Sequence, residues 1–96
     1  MTPQEHARLG ALHFTQAVVV AMHQAEQRGD PLRMQPMSEL LVEPVLPAVK
    51  GRKHKGRMLL STILDAMEAE GLAERPTPNN QRWRLTSAGR QRIKEA

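Results

Sequence analysis

Lys50, Arg52, Lys53, Lys55 and Arg57 put five cations into eight consecutive positions, with Gly51 and Gly56 set among them. Side chains of this type at this density bind phosphate, Lys as a compact point charge and Arg as a planar fork that grips two oxygens or a guanine edge. A second basic pair, Arg82 and Arg84, alternates with Trp83 and Leu85. Other chemistries find little here. The chain has no cysteine, which removes thiolate catalysis, disulfides and cysteine-ligated zinc. It has no nucleophile with a base at recognisable spacing, no glycine-rich phosphate loop after a strand, and no paired carboxylates beyond ordinary helix-surface acids. His6 and His13, seven apart, share a helix face, and His23 lies further along. Glu5 and Glu26 do not fall on that face at ligand spacing, so these histidines read as solvated or interfacial and not as a metal site. The reading is of a protein without catalytic residues, metal or cofactor.

The basic stretch 50–56 reads as a loop that leads into a helix over 57–70. Leu60, Ile63, Leu64 and Met67 recur at the i, i+3, i+4, i+7 spacing that gathers four apolar side chains on one face. Gly71 comes next as the stop, because glycine takes the left-handed conformation that closes a helix C-terminus. Leu72 to Arg75 then starts a strand, Pro76 to Asn80 is a run of turn-formers, and Gln81 to Thr86 alternates polar and bulky apolar residues with period two. Trp83 and Leu85 fall on the inward face of that hairpin, Arg82 and Arg84 on the other, with Arg75 across from them. Thr86 or Ser87 caps a last helix.

Over residues 57 to 93 the chain resembles the winged helix-turn-helix family, in particular its multiple-antibiotic-resistance-repressor-like branch. The resemblance rests on Met67…Gly71-Leu72…Arg75 after the apolar helix face, and on Leu85-Thr86-Ser87-Ala88-Gly89-Arg90 after the hairpin. It implies that the helix at 57–70 reads DNA, with Arg57, Ser61 and Thr62 near base edges or phosphate, and that Arg82 and Arg84 form the basic handle of a wing. Phosphates would sit against Lys50, Arg52, Lys53 and Lys55.

Upstream, Thr2-Pro3-Gln4-Glu5 has the form of a capping box with proline at the first helical position, and predicts a helix from 3 to about 28 that Gly29-Asp30-Pro31 ends. Its apolar residues spread around much of the cylinder. Either a second copy covers the outer side, as terminal helices of the family do, or the helix is simply central to a monomer; the apolar width favours a homodimer. Leu32 to Met37 shows no periodicity and reads as a connector, after which Ser38 caps a short helix. That helix breaks near 43, or a second one starts at Pro44.

Ninety-six residues allow a single domain, mainly α with a small β-hairpin (α+β): a long N-terminal helix 3–28, a helix-turn-helix and wing over 38–87, and a C-terminal helix 87–95. Phe14 and Trp83 are the only aromatics, so aliphatic residues and Met must build the core. The net charge of +4 is unevenly spread: residues 1–49 carry three Lys and Arg against five acids, and residues 50–96 carry eleven against five. Duplex nucleic acid is the natural partner of such a basic half. No secretory leader or membrane span is visible, which with the lack of cysteine suits the cytoplasm. The expectation is therefore a small homodimeric transcription regulator that binds double-stranded DNA. The alternative is a winged-helix module that docks a protein partner within a larger assembly.

Overall fold

The computed structural model describes residues 1–29, 33–75 and 83–95, with the backbone alone at 53, 94 and 95. The elements run α1 (Pro3–Gln27), α2 (Met34–Leu41), a 3₁₀ turn at Pro47–Val49, α3 (Lys53–Ala69), β1 (Ala73–Glu74), β2 (Arg84–Leu85) and α4 (Ser87–Glu95). The architecture is mainly helical with one antiparallel two-strand hairpin, in which Ala73 faces Leu85 and Glu74 faces Arg84. The turn-formers at 76–80, together with Asp30, Pro31 and Arg82, lie outside the described residues.

The capping box forms as the sequence requires. Thr2 Oγ1 accepts the Glu5 N–H at 3.2 Å, and Glu5 Oε1 accepts the Thr2 N–H at 3.4 Å. At about 1.5 Å per residue α1 is roughly 37 Å long, which matches the longest dimension of the molecule, 36 Å. Only its second half is packed: residues 3–13 are all exposed, whereas Val18, Val19, Ala21, Met22 and Ala25 are buried.

Two segments differ from the sequence reading. Residues 34–37 are not a connector, because α2 begins at Met34. Pro36 stands in the first turn, where the helix has no use for its missing N–H, and burying Met34 and Met37 rewards the early start. Ser38 is consequently not a cap but an interior residue, 3% exposed. The helix ends at Leu41, and helix resumes only briefly, at Pro47 and not at Pro44.

The second difference concerns the basic stretch. α3 starts at Lys53, four residues before the expected 57, and takes Lys53 to Gly56 out of the loop. Gly56 is buried at the crossing of α3 and α2, where a Cβ would overlap Ser38 Oγ. Glycine is thus present for close approach and not for mobility. Beyond it Leu60, Leu64 and Met67 are buried and Ile63 is half-buried, as their spacing predicts.

The end of α3 is a Schellman motif: the Gly71 N–H donates to Glu68 O at 3.0 Å and the Leu72 N–H to Met67 O at 2.8 Å. Gly71 has φ +76° there. Trp83 and Leu85 point inward and Arg84 outward. Thr86 caps α4 by accepting the Gly89 N–H at 3.1 Å, and its hydroxyl donates to Gly71 O, which ties the start of α4 to the end of α3. Gly89 lies so close to that junction that a Cβ would overlap the Leu72 carbonyl oxygen.

Candidate nucleic-acid interface

The first turn of α3 has open donors. Its N-cap, Arg52, makes no side-chain cap, and no acid occupies the first turn. The Lys55 N–H donates to Arg52 O at 3.0 Å; among the described residues the His54 N–H has no acceptor outside the helix, and with the positive end of the helix dipole it is left for an outside acceptor. Around this end Lys50, Arg52, Lys55 and Arg57 are exposed, and among the described residues none of them forms an ion pair. Lys53 belongs to the same turn by its backbone.

Because 53–57 is helical, Lys55 and Arg57 are held in register with the later turns of α3. His54, Arg57, Met58 and Ser61, at i, i+3, i+4 and i+7, line an open cleft of about 390 Å³ together with Met34. Ser61 is half-buried there. Thr62 is exposed, and its Oγ1 donates back to Met58 O at 3.0 Å. Asp65, Glu68 and Glu70 lie exposed further along, away from the basic end. Sequence reasoning missed Met58, which is 65% exposed in the middle of this face; the signal was the run Met58-Leu59-Leu60, which is wider than one helical stripe.

The hairpin cations are held differently. Arg84 is exposed but pairs across the strands with Glu74 at 2.8 Å. Arg75 lies over the Trp83 ring, 4.7 Å from its centroid, and reaches Glu68 at 3.8 Å. Its place over Trp83 puts it against the hairpin's inner face, whereas Arg84 is on the outer one. The exposed Arg84–Glu74 pair adds only about 0–1 kcal/mol, so exchanging Glu74 for a phosphate costs little.

Glu26, near the end of α1, also bears on the hairpin. Its Oε1 accepts the Leu85 N–H at 2.9 Å, and its Oε2 lies 3.4 Å from Arg90 Nε. Nothing local in the sequence marks this role, because the partners are 59 and 64 residues away.

A separate apolar groove of about 520 Å³ runs between α1 and α2, floored by Ala17, Val20, Ala21, Leu40 and Leu41. Among the described residues no group of three or more His, Cys, Asp or Glu comes together to hold a metal ion, and no helix is long and apolar enough to cross a membrane. Comparison with family models, curated proteins and solved structures gives no match.

Proposed function

We propose that the protein binds double-stranded DNA as a winged helix-turn-helix, inserting the start of α3 into a groove and laying the hairpin along the backbone, in the manner of a small transcription regulator. The observation that carries this reading is the first turn of α3: an uncapped helix N-terminus ringed by four exposed cations without ion-pair partners among the described residues. Neither feature is needed to hold the fold, and together they match a phosphate. The order α1–α2–α3–hairpin–α4 supports the winged arrangement. The link between α2 and α3, residues 42–52, is longer than the three- or four-residue turn of a compact helix-turn-helix, and the Pro47–Val49 turn occupies it.

A homodimer through α1 belongs to the same proposal. The unpacked first half of that helix exposes Leu9 and Leu12, and Val20 continues the surface beside the groove. The second reading, a module that docks protein partners, is favoured by one observation: Leu40, Val45 and Leu46 are exposed around the α2–α3 link.

The test is fluorescence anisotropy with a random duplex of about 30 base pairs over a range of salt. Each phosphate neutralised contributes about −0.9 to the slope of log K against log salt, so four cations give about −3.6 or steeper. That is a loss of roughly 150-fold between 50 and 200 mM salt. Absence of binding at 50 mM salt overturns the DNA reading and leaves the protein-docking one.

A further inference from the structure

We propose that Glu26 is a positioning residue through which α1 sets the pose of the hairpin, taking the place of a third strand at the outer edge of β2. The register carries the first half of the argument. With Ala73 facing Leu85 and Glu74 facing Arg84, β2 pairs with β1 on one side only. The Leu85 N–H points away from that partner and is taken up by Glu26 Oε1 at 2.9 Å. Leu85 is 1% exposed, so water does not replace the carboxylate without the hairpin moving. An edge N–H in a longer sheet goes to the next strand's carbonyl, and here it goes to a side chain of a helix.

The second half is the geometry of attachment. The other carboxylate oxygen faces Arg90 of α4, 3.4 Å away. Ten residues back along α1, Gln16 Nε2 donates to Arg92 O at 3.4 Å. α1 therefore holds α4 at two levels and β2 at one, and Glu26 joins all three elements. The same helix carries the proposed dimer face on its outer side, where Gln16 also lines the apolar groove. The hairpin's position relative to α3 is thus set from α1 as well as from Thr86 and Gly71, and with it the direction in which Arg84 is offered. This last step rests on the DNA reading; the clamp itself does not.

The experiment compares wild type with Glu26→Ala, Glu26→Gln and Arg90→Gln by amide hydrogen exchange, denaturant unfolding and the salt slope on the random duplex. Glu26→Ala removes the acceptor, and the Leu85 amide loses roughly ten- to hundredfold protection, more than the Leu64 amide loses. Glu26→Gln keeps an acceptor oxygen and restores most of that protection. Arg90→Gln leaves it in place, which separates the edge bond from the ion pair. On DNA, Glu26→Ala flattens the salt slope by about one contact while the α3 cations are intact. Leu85 protection that survives Glu26→Ala, or that falls only as far as the Leu64 amide does, overturns the clamp. A salt slope unchanged by Glu26→Ala while Leu85 protection falls overturns its role in presenting Arg84. If wild type binds no duplex, the DNA reading fails alone, and the exchange comparison still decides the clamp.

Discussion

Gly56→Ala tests whether the early start of α3 comes from packing against α2. In an isolated helix the substitution stabilises by about 0.8–1.0 kcal/mol, because glycine is the poorer helix former. Here the new Cβ overlaps Ser38 Oγ, in a position where Ser38 is 3% exposed. Displacing a buried atom costs about 1–3 kcal/mol. The overlap therefore wins, with a net loss of about 1 kcal/mol, or roughly 4–8 °C in Tm for a domain of this size. Removing the oxygen changes the sign. With Ser38→Ala in place, the nearest atoms are Ser38 Cβ at 3.6 Å and Val42 Cγ1 at 3.8 Å, which are ordinary contacts. Gly56→Ala in that background gains about 0.5–1 kcal/mol from propensity. The double-mutant cycle thus gives a coupling of about 1–3 kcal/mol, measured from urea midpoints at constant m. A Gly56→Ala protein more stable than wild type, or a coupling near zero, refutes the close approach and returns the basic stretch to a loop.

Three other substitutions address the remaining parts. Thr86→Ala removes both the cap of α4 and the hydroxyl bond to Gly71 O, and lowers stability by about 1–2 kcal/mol in thermal unfolding monitored by circular dichroism. Lys55→Gln with Arg57→Gln is expected to reduce the magnitude of the salt slope on a random duplex by about 1.8, with little change in stability because both side chains are exposed. On the proposed homodimer, wild type is expected to scatter light as a dimer, and Leu12→Glu with Val20→Glu, which places charges on the outer face of α1, as a folded monomer.

What could be read from the sequence divides by the range of the interaction that decides it. The capping box at Thr2, the four apolar positions of α3, its end at Gly71 and the cap of α4 are each settled within one or two helical turns, and each appears where its residues place it. The start of α2 was hidden by a local rule applied without position. Proline opposes a helix interior but not a first turn, and only the burial of Met34 and Met37 shows that Pro36 stands in a first turn. Glu26 was beyond reach altogether, because no periodicity on α1 distinguishes a surface acid from one that finishes the edge of β2.

The start of α3 matters most for the proposed DNA binding. Read locally, Lys50-Gly51-Arg52-Lys53-His54-Lys55-Gly56 has two glycines and a crowd of like charges, all unfavourable to a helix. Ser38, eighteen positions before Gly56, supplies the surface against which a residue without a side chain fits. The consequence reaches the phosphate. A flexible loop must be ordered when DNA binds, at about 1–2 kcal/mol per residue for the backbone. Lys55 and Arg57 stand on a helix that folding has already ordered, so attraction to phosphate is offset only by the entropy of their side chains. Lys50 and Arg52, just outside that helix, are tied by single turn bonds, the Lys50 N–H to Pro47 O at 3.1 Å and the Arg52 N–H to Val49 O at 2.8 Å, and are held less firmly. If the proposed DNA reading holds, Arg57 and Lys55 contribute most per charge, and single substitutions there are expected to weaken duplex binding in the anisotropy assay more than the same change at Lys50.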